Sequence, residues 1–144
     1  MRWTRRGTTL VCASGIALAL GTGFAVAAPG AKPALTALAR VERGQWQLKT
    51  VDDGVSRTLC LADPRTLIHY EHPMEQCQHA VVKNDIDTTT VHFICHNSHG
   101  QTSVKVATPR SFNMDTQGII NGAPFEETYE ARYVGACAGD PKAH

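Results

Sequence analysis

The stretch Val91-His92-Phe93-Ile94-Cys95 decides the fold class, because it is short, rich in β-branched and aromatic residues and followed by turn-forming residues. Successive side chains of a strand point to opposite faces, so Val91, Phe93 and Cys95 share one face. The same period of two, or a similarly short apolar run, predicts strands around Trp46 and Leu48, at 59–61, at 80–83, around Val104 and Val106, and over 125–134.

Turn signals separate these segments. Asn, Asp and Gly tolerate positive φ angles, and they predict reversals at 52–54, 97–100 and 121–122. Asp63 before Pro64 predicts the N-cap and first turn of a short helix between the first two cysteines of the folded part. The sequence therefore predicts an all-β domain with minor helix: an antiparallel meander of six to eight strands, forming either a curved sheet or a small lipocalin-like barrel.

The N-terminus has the pattern of a secretion signal. Three arginines lie within the first six residues, an apolar run follows, and Ala25-Val26-Ala27 offers the small residues that signal peptidase requires. We expect a signal peptide at 1–27, a flexible tether at 28–43, a disulfide-stapled β domain at 44–137 and a flexible tail at 138–144. The predicted location is the periplasm or the extracellular medium.

Removal of residues 1–27 leaves 11 basic residues against 13 acidic ones, a formal charge of 11 − 13 = −2. Nucleic-acid binding requires a basic surface, so we expect no nucleic-acid partner. The mature chain has no second long apolar run, so we expect no membrane span. The oligomeric state is left open.

Four cysteines remain after the signal, and an even number in an exported chain predicts two disulfides. The alternative is a zinc site made of the four cysteines. The chain has no Cys-x-x-Cys spacing, so this alternative is disfavoured. Strand parity turns Cys95 and Cys137 toward the same inner face, which favours the pairs Cys95–Cys137 and Cys60–Cys77.

The order and surroundings of these cysteines resemble the DUF3617 family of exported bacterial domains. The resemblance rests on Gly44-Gln45-Trp46, on Cys60-Leu61 before a short helix, on Cys77 and Cys95, and on the closing 134–137. It covers roughly 44–137 and implies a periplasmic or secreted β domain with two disulfides. It implies no activity and no catalytic residues.

A weaker resemblance to lipocalins rests on Gly44 and Trp46, with Arg132 as a cation that would pack over the Trp ring. It implies an apolar ligand cavity lined by Trp46, Phe93, Tyr129 and Arg132. The alternative interpretation of these aromatic residues is ordinary core packing.

Histidine is the residue type that suggests chemistry. His92, His96 and His99 lie within eight positions, and imidazole binds zinc or copper well. His69 and His72, three residues apart, would also be neighbours if the short helix extends that far. The alternative is that all these histidines are solvated surface residues.

No motif typical of an enzyme occurs in the chain. Two functional hypotheses follow. The first is a non-enzymatic envelope module that binds a small apolar ligand or an envelope protein. The second is a periplasmic protein that binds zinc or copper through its histidines.

Overall fold

The computed structural model describes residues 34–72 and 76–139. The predicted signal peptide at 1–27 lies outside the described residues, as do residues 140–144 of the predicted tail.

Within these two ranges, seven strands form one antiparallel sheet. They are β1 (Gly44–Thr50), β2 (Ser56–Leu61), β3 (Cys77–Asn84), β4 (Thr88–Cys95), β5 (Ser98–Thr108), β6 (Ser111–Ile120) and β7 (Ala123–Gly135). Their order across the sheet is β2-β1-β7-β6-β5-β4-β3. The sheet does not close, because β2 and β3 form its two edges. The all-β class is confirmed, and the open sheet is the shape adopted.

Every predicted strand is present, and one further strand, β6, was not predicted. Two of the predicted reversals also hold: Gly54 adopts a positive φ of 71°, and Asn121 and Gly122 adopt 51° and 82°. The third is shorter than predicted. β5 begins at Ser98, so only His96 and Asn97 turn the chain, and Gly100 already pairs with Phe93.

The predicted short helix is a 3₁₀ helix, Pro64–His69. Asp63 caps it, since its side chain accepts a hydrogen bond from the Arg65 backbone N–H at 3.0 Å. That bond and the Arg65 side chain hold the pKa of Asp63 below its usual value. A second 3₁₀ helix, Leu38–Arg40, precedes β1.

One face of the sheet, called the inner face here, carries the core. Its buried side chains alternate along the strands, and they include Trp46, Leu48, Val91, Phe93, Val104, Val106, Phe112, Met114, Tyr129 and Ala131. A sheet with one apolar face needs a second layer to cover it. Two segments supply that layer, residues 34–41 and residues 61–72, with buried Leu35, Ala37, Leu38, Val41, Leu61, Leu67 and Ile68.

Residues 34–41 belong to the predicted tether, and the structure places them in the core. Leu38 is 1% exposed, and the segment is hydrogen bonded to the β3–β4 hairpin. Asn84 contributes two of these bonds: its Oδ1 accepts from the Thr36 N–H at 2.7 Å, and its Nδ2 donates to the Ala34 carbonyl at 2.8 Å. The described part of this stretch is therefore a component of the folded domain.

The disulfides join Cys60 to Cys137 and Cys77 to Cys95, so the predicted pairing was wrong. Strand parity predicts the face of the sheet on which a cysteine lies, but it does not predict which other cysteine lies beside it. β1 lies between β2 and β7, and Gln45 pairs with both Cys60 and Gly135, which brings Cys137 to Cys60. β5 and β6 separate β4 from β7 and keep Cys95 away from Cys137.

Cys77 and Cys95 are register partners in β3 and β4, with Cα atoms 4.2 Å apart. Directly opposed residues of antiparallel strands approach to about 4.5 Å in the close type of pair, which suits a disulfide. This bond fastens the edge strand β3 to the rest of the sheet.

We expect loss of the Cys60–Cys137 bond to destabilise the domain more than loss of the Cys77–Cys95 bond. The sequence separations are 77 and 18 residues, and the chain-entropy model assigns about 4.5 and about 3 kcal/mol to such loops. Urea unfolding of the two Cys→Ser double variants measures the difference. A larger loss from the Cys77/Cys95 variant would contradict the loop-entropy argument.

Candidate metal centre

Three histidines and one cysteine converge where the second 3₁₀ helix meets the edge strand β3. His69, His72, Cys77 and His79 each offer one ligand atom, and these atoms all lie within 4.8 Å of one another. They form the only group of three or more potential metal ligands among the residues described. We call these four residues the histidine cluster.

The 3₁₀ helix brings His69 and His72 together. His69 is its last residue, and the His72 N–H donates to the His69 carbonyl at 3.0 Å, which carries the turn one step further. Residues three apart lie directly above one another in 3₁₀ geometry. The two ring centroids are 5.6 Å apart, so the expectation that these histidines meet is confirmed.

Strand β3 brings Cys77 and His79. They are two residues apart, so both face inward with Val81. The His79 ring lies 4.3 Å from that of His69, centroid to centroid, in an edge-on arrangement. His79 is exposed at the sheet edge, and His69 is half-buried. The cluster is therefore open to solvent on one side.

His72 is the buried member of the cluster, with 4% exposure. Its ring stacks on Phe93 with centroids 4.0 Å apart. Phe93 is also the register partner of His79. Phe93 thus stacks on the His72 ring and lies opposite His79 in the sheet, so the stacking restricts the movement of the His72 ring.

Tyr129 of β7 holds the segment just before His72. Its hydroxyl donates to Glu71 Oε1 at 2.5 Å, and its ring packs edge-on against Tyr70 at 5.2 Å. Burial, and then the hydrogen bond to the Glu71 carboxylate, raise the pKa of Tyr129. The hydroxyl therefore stays protonated and keeps donating over the physiological pH range.

The cluster suits a borderline-soft transition metal. Zinc bonds to imidazole nitrogen at about 2.0–2.1 Å in tetrahedral geometry, which places neighbouring donor atoms about 3.3–3.5 Å apart. Side-chain rotations that move the donors by about 1 Å would close the present spacing to that value. Because Cys77 is in a disulfide, a metal ion held here would have the three imidazoles as protein donors and an open fourth position.

Two of the three histidines predicted as ligands, His92 and His99, lie on the outer face of the sheet. His92 Nε2 is hydrogen bonded to Gln101 Oε1 at 2.7 Å, and His99 is exposed on β5. His96 is exposed in the turn between the two strands. In the described ranges, the donor atoms of these three histidines do not gather into one cluster.

Of the four residues of the predicted ligand cavity, three lie in the core and one lies on the opposite face of the sheet. Trp46, Phe93 and Tyr129 are buried in the core, and the Trp46 indole N–H donates to the Glu42 carbonyl at 2.9 Å. Arg132 is exposed on the outer face, away from Trp46.

A different arginine, Arg110, makes the cation–π contact. Its guanidinium lies 5.1 Å from the centroid of the Tyr133 ring, and Tyr133 packs edge-on against Trp46 at 5.8 Å. Arg110 is also ion paired with Glu42 at 2.6 Å, and its hydrogen bond lowers the pKa of the Glu42 carboxyl. The predicted contact of Arg132 with the Trp46 ring was therefore wrong, and the cation–π contact in the described residues joins Arg110 to Tyr133.

A groove of about 430 Å³ adjoins the histidine cluster between the second 3₁₀ helix, β3 and the N-terminal segment. Its walls combine apolar and polar side chains: Leu35, Asp63, Arg65, Thr66, Ile68, His69, His79, Val81 and Val91. Two histidines of the cluster thus also line this groove.

The fold and the site define an all-β domain with an open seven-stranded sheet in its described part, two disulfides and a histidine cluster at one edge. The model of a family described as protein of unknown function (DUF3617) matches residues 41–137, and the chain belongs to that family. No curated protein and no solved structure matches the chain. Over the described residues, no helix has the length and apolarity needed to cross a membrane.

We expect the unfolding free energy to fall as the pH rises above about 10, the ordinary value for tyrosine. The folded state holds the Tyr129 proton more tightly than the unfolded chain does, so this stabilisation is complete below that pH and is lost above it. Tyr129→Phe should cost about 1.5 kcal/mol at neutral pH and reduce the alkaline fall. Some fall remains because burial also raises the pKa of Tyr70. Urea unfolding at about pH 8 and about pH 11 measures both effects. An unchanged alkaline fall in the variant would exclude Tyr129 as its source.

Proposed function

We propose that this DUF3617 domain is a non-enzymatic module of the bacterial cell envelope that binds a transition-metal ion, Zn²⁺ or Cu²⁺, through His69, His72 and His79. The observation that carries the proposal is the convergence of their donor atoms with Cys77 Sγ to within 4.8 Å. Imidazole is a preferred ligand of both ions, and the sequence positions of the three histidines alone do not require them to meet.

The surroundings of the cluster support a binding role. Stacking on Phe93 and the disulfide of Cys77 reduce the conformational freedom that metal binding would otherwise remove. His79 lies at the exposed sheet edge, which provides an entry path for an ion. With His72 buried and His79 exposed, a metal ion could reach the histidine cluster of the folded protein from solvent.

The envelope location is supported by two independent features. The first is the basic start, apolar run and small-residue exit of residues 1–27. The second is the pairing of all four cysteines beyond that stretch as disulfides, which form and persist in oxidising compartments. The absence of enzyme motifs from the sequence supports a role in binding rather than catalysis.

The test is a zinc titration of the oxidised protein against a competing chelator. Removal of a residue that is hydrogen bonded to a metal ligand costs about 10–100-fold in metal affinity. His79→Ala removes a ligand itself, so it should lower the zinc affinity by about 100-fold or more. His92→Ala is the matched control, since this exposed histidine lies on the outer face of the neighbouring strand β4. It should leave the affinity unchanged.

The control variant also separates the two histidine groups. If His92→Ala weakens zinc binding and His79→Ala does not, the metal site lies on the outer face and the present proposal is wrong. If the oxidised wild-type protein binds neither zinc nor copper, the three-histidine site proposed for the oxidised protein is excluded.

The groove favours a second candidate, a small ligand with an apolar body. Its volume of about 430 Å³ lies within the range of small-molecule sites, and Leu35, Ile68, Val81 and Val91 supply apolar walls.

A fluorescent anilinonaphthalene probe tests this groove. We expect Val81→Glu to abolish the fluorescence enhancement, because it would place a charge in the groove. Val82→Glu, at a neighbouring side chain that is 56% exposed, should preserve it. Equal enhancement in both variants would show that the probe binds elsewhere.

A further inference from the structure

Cys77 is a member of the histidine cluster and also forms a disulfide. Its Sγ lies within 4.8 Å of the donor nitrogens of His69, His72 and His79, and it is bonded to Cys95. Cys95 is not a member of the histidine cluster. Cleavage of this one disulfide would therefore place one thiol among the three imidazoles and leave the other outside them.

The scaffold around Cys77 does not depend on the disulfide alone. β3 remains paired with β4 from Gln78 opposite Ile94 to Asn84 opposite Thr89. Asn84, at the far end of β3, is hydrogen bonded to the N-terminal segment. The Cys60–Cys137 bond closes a separate part of the sheet. Cys77 should therefore stay near the histidines after reduction.

We propose that the Cys77–Cys95 disulfide is a redox switch on the metal site, a proposal that rests on the metal-binding function above. In the oxidised state the site has three imidazole ligands and an open fourth position. In the reduced state the Cys77 thiolate fills that position and completes a Cys-His₃ set, which supplies the four donors of a closed tetrahedral zinc site.

The reductant belongs to the class of dithiol proteins. One of its thiolates attacks the disulfide, its second thiol resolves the mixed disulfide, and it leaves as an internal disulfide. The two electrons and two protons appear as the thiols of Cys77 and Cys95. Zinc then binds Cys77 and releases one proton to water.

Linkage makes the effect reciprocal. If zinc binds the reduced state more tightly, zinc must also make the disulfide easier to reduce. An affinity gain of about 100-fold corresponds to a midpoint potential about 60 mV more positive, because each factor of ten in a two-electron equilibrium is about 30 mV.

Two single variants test the switch. Cys95→Ser and Cys77→Ser both remove the same disulfide, and only Cys95→Ser retains a thiol at position 77. We expect Cys95→Ser to bind zinc about 100-fold more tightly than Cys77→Ser and than the oxidised wild type. With Co²⁺ as the spectroscopic probe, only Cys95→Ser should show thiolate-to-cobalt charge-transfer absorption. Urea unfolding first establishes that both variants fold.

The wild-type protein provides a measurement that needs no substitution. In a thiol redox buffer with free zinc set by a metal buffer, alkylation and mass analysis measure the fraction of reduced Cys77. The midpoint should shift to more positive potential with zinc and should stay constant in the His79→Ala variant.

The outcomes separate the two proposals. Equal zinc affinities of the two cysteine variants, or a midpoint insensitive to zinc, would overturn the switch while leaving a three-histidine site in place. If neither the oxidised wild type nor Cys95→Ser binds zinc, the metal-binding function itself fails. Tight binding by Cys95→Ser with a cobalt–thiolate band, lost on His79→Ala, supports both.

Discussion

The structure depends on burial of one apolar sheet face. An open seven-stranded sheet exposes its inner side chains unless another layer covers them, and burial of apolar surface is the main favourable term in folding. Two irregular segments provide that layer here, and their buried Leu38 and Leu67 lie on the same side of the sheet as Trp46. The covering segments are therefore as necessary to the core as the strands.

The same burial positions the histidine cluster. Leu67 and Ile68 anchor the second 3₁₀ helix in the core, and His69 follows them directly. The Phe93 ring stacks on the His72 ring. The Tyr129 hydroxyl donates a hydrogen bond to Glu71, the residue before His72. No member of the cluster needs a dedicated scaffold, because residues that fold the domain also orient the imidazoles.

Much of the architecture could be predicted because it follows from local periodicity. The inward-facing residues recur every second position, and the Asp63-Pro64 cap acts through the backbone N–H of Arg65, two residues away from Asp63. β6 was missed although Phe112, Met114 and Thr116 alternate in it, since polar residues dilute its apolar signal. Only half of the cluster could be predicted: His69 and His72 are close in sequence, whereas His79 reaches them from a different element.

The sequence by itself determined the fold class, the capped turn and the family, because each depends on residues near one another in the chain or on their order along it. The tertiary structure alone decided which cysteines pair, which arginine contacts an aromatic ring and which histidines converge. These outcomes depend on strand order. With β1 between β2 and β7, Cys137 reaches Cys60, and Cys77 is left to pair with Cys95 beside three imidazoles. Strand parity specifies the face on which a side chain lies, and only the folded sheet specifies its neighbour.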